Sequence, residues 1–129
     1  MRVHVGEASR VEAVVRVSRD HDLVISATRP PAGSEGELVR TTKALLSGLG
    51  QTGIRLLLVG GTASLTVPGD EKRAALEPGE RTGAYRLGSD ELVVDPNGVS
   101  RISVKDFAVA LMDEAEQPRH RQTRFTVAY

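Results

Sequence analysis

The spacing of apolar residues changes period several times along this chain, and each change marks an element. Residues 2–5, Arg-Val-His-Val, alternate polar and apolar as a short strand does. Ser9 stands where it can cap a helix whose apolar positions Val11, Val14, Val15 and Val17 fall mostly on one face. His21 and Asp22 end that helix, and residues 23–27 form a short, β-branched apolar run of the kind found in buried parallel strands. The prolines of Arg29-Pro30-Pro31 stop it. Ser34, with Glu37 three residues later, is a capping-box signature ahead of Leu38, Leu45, Leu46 and Leu49, with Gly50 and Gly53 as stop signals. Residues 54–59 are nearly all apolar and empty into Gly60-Gly61, as a central strand does on reaching a loop. The order is βαβαβ, which predicts a parallel sheet with helices on its faces.

Residues 66–82 shift to proline, glycine and charge, so a loop is expected there, with one helical turn at residues 73–76. Residues 85–87 and 91–94 read as the arms of a hairpin, and Asp95-Pro96-Asn97-Gly98 as a turn into a strand at 99–102. Ser103 with Asp106 caps a helix carrying Phe107, Val109, Ala110, Leu111 and Met112, which ends before Pro118. A strand over residues 123–128 follows. The fold expected is α/β: one domain, residues 1–129, with a C-terminal hairpin, helix and strand.

Composition narrows the function classes. Seventeen basic residues balance seventeen acidic ones, so no global field draws the chain to nucleic acid or anionic lipid. Aromatics are 3% of the chain, too few for the stacking platforms of single-stranded nucleic-acid binders. With no cysteine there is no disulfide framework or thiolate metal site, which suits a reducing cytoplasm. His4, His21 and His120 are too scattered to suggest a metal centre. The first ten residues are mixed and charged, and no apolar stretch approaches the roughly 20 residues that span a bilayer, so a soluble protein with no membrane partner is expected.

Three stretches together are distinctive: Glu77-Pro78-Gly79-Glu80-Arg81-Thr82-Gly83-Ala84-Tyr85-Arg86; Ser100-Arg101-Ile102-Ser103 with Asp106 and Phe107; and Arg124-Phe125-Thr126-Val127-Ala128-Tyr129. They resemble the C-terminal third of NAD(P)H-binding oxidoreductases of the NmrA-like, short-chain-dehydrogenase-related kind. Val3-His4-Val5-Gly6-Glu7-Ala8, Asp22-Leu23-Val24-Ile25-Ser26-Ala27, and Gly53-Ile54-Arg55 through Gly60-Gly61 are similar to that family's third, fourth and fifth strands. The resemblance implies a truncated Rossmann-like parallel sheet with flanking helices. It also implies NADPH or NADH as cofactor beside a small-molecule substrate. The family's opening strand, its G-x-x-G-x-x-G turn and the basic residue that selects the 2′-phosphate have no counterpart here, and residues 69–76 lack a further helix and strand.

By the same resemblance, Glu7 and Ala8 follow the third strand and face the adenine. Ala27, Thr28, Arg29 and Pro30 pass along the cofactor, where Arg29 can pair with a phosphate. Gly60 and Gly61 end the fifth strand, and Thr62 and Ser64 are the candidate catalytic hydroxyls near nicotinamide and substrate. Each has a plainer account: Glu7 as a solvated carboxylate before a helix, Arg29 as a surface arginine on a stiff loop, and Thr62 and Ser64 as loop hydroxyls bonding their own backbone. No Tyr-x-x-x-Lys supplies a base, since Arg86, Leu87, Gly88 and Ser89 follow Tyr85. Removing the unit at the middle of a sheet leaves strand edges that invite dimerisation. The rival expectations are therefore a non-catalytic remnant acting as a self-association or partner-binding module, and a small-ligand binder using no nucleotide.

Overall fold

The computed structural model describes residues 2–61 and 73–129 as an α/β protein whose chain divides into two compact units, Met1–Gly60 and Gly61–Tyr129. The first holds α1 (Val11–Ser18), β1 (Leu23–Ser26), α2 (Glu35–Thr52) and β2 (Arg55–Leu58). β1 and β2 pair in parallel, Leu23 opposite Arg55 and Ser26 opposite Leu58. Parallel strands need a crossover, and α2 supplies it. Gly53 ends α2 in the left-handed region, φ 71°, and its N–H donates to the Leu49 carbonyl at 2.8 Å, so the stop signal acts where the sequence places it.

The core of this unit is Val14 of α1 with Leu45 and Leu49 of α2, and Val24, Ile54 and Leu56 pack against it. Val24 and Leu56 are register partners, so one face of the strand pair is turned to the helices. The helices approach so closely at Gly48 that an added Cβ would lie 2.7 Å from Val14 Cγ1.

Three local expectations fail here. Residues 2–5 form no strand, and Val3 and Val5 are exposed, because an alternating segment without a ladder partner has nothing to satisfy its backbone. Ser9 does not cap α1; its hydroxyl donates to Glu7, and Arg10 stands at the cap without a side-chain bond. Ser34 is the N-cap of α2, but its hydroxyl makes no capping bond, and the Glu35 carboxylate instead accepts the Gly33 N–H at 3.1 Å.

The second unit holds β3 (Arg73–Glu77), β4 (Arg86–Gly88), β5 (Val99–Ser103), α3 (Val104–Glu116) and β6 (Thr126–Ala128). β3 pairs in parallel with β5, Arg73 opposite Val99 and Glu77 opposite Ser103. The expected helical turn at 73–76 is thus a strand: ladder bonds to β5 outweigh the helix preference of two alanines and a leucine. β4 pairs antiparallel with β6 rather than with residues 91–94. That segment is held by side chains, with Thr126 Oγ1 donating to the Glu91 carbonyl at 2.8 Å and Arg86 to the Val94 carbonyl at 2.9 Å. The turn before β5 forms as expected, Asp95 Oδ1 accepting the N–H groups of Asn97 and Val99. Among the described residues, no helix is long and apolar enough to cross a membrane.

Candidate functional site

The parallel register puts the C-terminal ends of β1 and β2 side by side, Ser26 opposite Leu58, and the Val59 N–H extends the ladder to the Ser26 carbonyl at 2.9 Å. Ala27, Thr28, Arg29 and Pro30 leave that edge from β1, and Gly60 and Gly61 follow Val59 from β2. In open α/β sheets this edge is where ligands bind. A depression of about 250 Å³ opens there, lined by Thr28, Arg29, Pro30 and Pro31 from the loop and Glu37, Leu38 and Thr41 from α2. A second, of about 200 Å³, is lined by Glu7, Ala8 and Ser9 before α1 and Glu37, Arg40 and Thr41 of α2.

Five of the expected cofactor residues, Glu7, Ala8, Thr28, Arg29 and Pro30, therefore converge on one stretch of α2. Ala27, Gly60 and Gly61 line neither depression. Thr62 and Ser64 lie outside the described residues. The α2 residues Glu37, Arg40 and Thr41, which line these depressions, are the part that sequence reasoning missed. Glu37 reads as a capping residue in sequence, yet the three positions share one helical face by their i, i+3, i+4 spacing. Arg40 lies 3.9 Å from Glu37 Oε1, an exposed pair that solvent screens. Chemically the lining offers a guanidinium at Arg29, a carboxylate at Glu37, hydroxyls at Thr28 and Thr41, and apolar carbon at Pro30, Pro31 and Leu38.

The strongest polar cluster of the second unit is Asp106, on the first turn of α3 and fully buried. Its carboxylate accepts from the Tyr129 hydroxyl at 2.6 Å, the Thr82 hydroxyl at 2.7 Å, and the N–H groups of Gly83 at 2.8 Å and Thr82 at 3.0 Å. Ser103 Oγ accepts the Asp106 N–H at 3.0 Å, so the sequence-read cap is real. The Tyr129 bond, with those from Gly83 and Thr82, outweighs desolvation and holds the carboxyl well below the usual carboxylate range. A carboxylate this saturated has no acceptor left for a substrate; the cluster pins α3, the 82–83 loop and the end of β6 together.

A second buried carboxylate, Glu114, is pushed up by burial but drawn down further by the His120 ring at 2.9 Å and by the His120 and Arg119 N–H groups, ending at about 2. His120 also stacks on Phe125, with ring centroids 4.5 Å apart. Tyr85 donates to Asp113, a bond that pushes its hydroxyl up and keeps it protonated. Among the described residues, no group of three His, Cys, Asp or Glu side chains is placed to hold a metal.

No family model matches the chain. A 49-residue stretch is 49% identical to the uncharacterized protein YwnB of Bacillus subtilis, covering 38% of this chain and 23% of that protein. The fold is similar to the crystal structure of a candidate epimerase from Bacteroides thetaiotaomicron, with TM-score 0.83, 32% identity, and coverage of 95% of this chain and 74% of the other. It is also similar to that of a candidate NADH-flavin reductase from Streptococcus pneumoniae, with TM-score 0.80, 21% identity, and coverage of 95% and 78%.

Proposed function

Taking as premise that this chain belongs to the same family as the Bacteroides thetaiotaomicron protein and carries a Rossmann-like, NAD(P)-binding, reductase-like fold, we propose that it is an NAD(P)H-binding oxidoreductase-like domain of the NmrA-like kind, with a weakened hold on NADPH or NADH. On this reading the two units form one shortened domain, working in the cytoplasm on a small-molecule substrate. The observation that carries the reading is the placement of Thr28, Arg29 and Pro30 in a depression at the C-terminal edge of a parallel strand pair. What supports a weakened hold is that residues 1–129 contain no glycine-rich turn whose backbone amides at a helix N-terminus could clamp the pyrophosphate. Arg29 with Thr28 is left as the main anion contact.

A thermal-shift titration with NADPH and NADH tests this. A ligand at 100 times its dissociation constant adds about 2.7 kcal/mol of stability, so a saturable rise in melting temperature is expected, reduced in Arg29→Ala. A folded sample showing no shift up to millimolar dinucleotide defeats the proposal. In that event the module reading moves ahead, for which exposed Val39 and Leu46, seven residues apart on one face of α2, are the supporting observation. Sedimentation would then show a concentration-dependent dimer that Leu46→Glu dissolves.

A further inference from the structure

Asn97 is the sole asparagine of the chain, and Gly98 follows it. That pair carries a reaction of its own, because a glycine nitrogen, with no side chain beside it, is the least hindered main-chain nucleophile for the carboxamide of the residue before it. Both residues stand exposed in the turn that leads into β5. Gly98 has a φ of 75°, and nothing lies within 4 Å of the place a Cβ would take on it, so the surroundings of the nucleophile are open.

The folded turn restrains the same reaction. The Gly98 N–H donates to the Asp95 carbonyl at 2.9 Å, while Asp95 Oδ1 accepts the N–H groups of Asn97 at 2.8 Å and Val99 at 3.0 Å. The Val99 N–H, then that of Asn97 and the Arg101 guanidinium, outweigh partial burial and hold the Asp95 carboxyl below its ordinary value, so at neutral pH it is ionised and able to accept both. While these bonds stand, the Gly98 nitrogen is engaged. A solvent-exposed turn opens at small free-energy cost, and each opening releases that nitrogen.

We propose that Asn97 is a self-modification site, converting to aspartate and isoaspartate through a cyclic imide with Gly98 at a rate set by the bonds that Asp95 makes across the turn. In the opened turn the Gly98 nitrogen, its proton lost to solvent, bonds to Asn97 Cγ. The Cγ–Nδ2 bond breaks, and the amide nitrogen leaves with a proton as ammonia. Water then opens the five-membered imide: at Cγ it leaves aspartate, and at the main-chain carbonyl it leaves isoaspartate, whose backbone runs through Cβ and Cγ. The balance is one water taken up and one ammonia released, with no oxidant and no second enzyme. Either product adds a carboxylate two residues from Asp95, and isoaspartate lengthens the turn by a methylene, so Asp95 Oδ1 no longer meets both N–H groups where β5 begins. β5 carries the ladder to β3 and accepts the Tyr129 N–H at Arg101, so conversion loosens the second unit.

Ageing the 129-residue chain in mildly alkaline buffer, folded and in urea, tests the assignment, with isoaspartyl methyltransferase and intact mass as readouts. No Asp-Gly pair is present to give the same product, so an isoaspartate signal reports residue 97. The folded parent should convert, but more slowly than the chain in urea. Asp95→Ala should speed conversion of the folded chain by about tenfold, the effect of lost net hydrogen bonding on the opening equilibrium, and should convert at the parent's rate in urea. Asp95→Ser, which keeps an acceptor, should give a smaller acceleration and keeps the comparison readable if Asp95→Ala does not fold. Asn97→Gln should abolish the signal, and both the aged parent and fresh Asn97→Asp should unfold at lower urea than the fresh parent. A folded parent free of isoaspartate after the unfolded chain has converted overturns the proposal, as does a signal that survives Asn97→Gln. Equal rates for the folded parent and both Asp95 variants overturn the part given to Asp95.

Discussion

Asp106 is polar in sequence and fully buried in structure, and its surroundings decide what that costs. A buried carboxylate without partners is strongly destabilising, whereas one met by four donors is held ionised. Asp106→Asn keeps the shape but presents an amide N–H₂ to groups that themselves donate, so its urea midpoint should fall well below the parent's. Tyr129→Phe removes a single donor and should cost about 1 to 3 kcal/mol. If Asp106→Asn proves as stable as Tyr129→Phe, the carboxylate is not the centre of the cluster. Sequence announced part of this residue's role and hid the rest. The Ser103-x-x-Asp106 spacing marks a helix start, and it does cap one, but nothing in the spacing shows that the Asp106 carboxylate turns away from its own helix to Thr82, Gly83 and Tyr129, 23 or more residues distant.

At the scale of elements, what local periodicity encodes was legible and what a distant partner imposes was not. β1, α2, β2, β5 and α3 follow from apolar spacing and stop signals at Gly53 and Pro118. β3 does not: Arg-Ala-Ala-Leu-Glu becomes a strand only because Val99 and its neighbours stand beside it. Residues 2–5 err the opposite way, with strand alternation and no ladder. The candidate site divides similarly, since the loop residues came from resemblance while Glu37, Arg40 and Thr41 emerge only when α2 is laid beside that loop. Gly48 gives the element-scale prediction. Alanine is intrinsically better than glycine inside a helix by about 1 kcal/mol, yet here its Cβ would sit 2.7 Å and 2.9 Å from two carbons of Val14. Gly48→Ala should therefore destabilise by about 1 to 3 kcal/mol. Adding Val14→Ala should make the pair less damaging than the sum of the single changes, and strict additivity in denaturant melts would refute a direct α1–α2 clash.

For the molecule as a whole, the two carboxyls drawn furthest down both belong to the second unit, Asp106 by its hydrogen bonds and Glu114 by His120 and two backbone N–H groups. A carboxyl lowered by folding contributes stability that is complete above the unfolded-state value of about 4 and is lost as pH falls through the folded value. Stability should thus decline from about pH 5 towards pH 2. All four aromatic residues, Tyr85, Phe107, Phe125 and Tyr129, also lie in the second unit, so near-ultraviolet dichroism reports that unit alone. Urea midpoints read from this signal should drop steeply between pH 5 and pH 2 in the parent and less steeply in Glu114→Gln. Parallel slopes would show that Glu114 does not carry the acid sensitivity.

The Tyr129–Asp106 bond also sets an order of events during synthesis. The hydroxyl is made 23 residues after the carboxylate it satisfies, which at roughly 5 to 20 residues per second is a delay of about 1 to 5 s on the ribosome. Through that interval the Asp106 carboxylate has its earlier donors, Thr82 and Gly83, but lacks the fourth, so the cluster closes only when the end of β6 arrives.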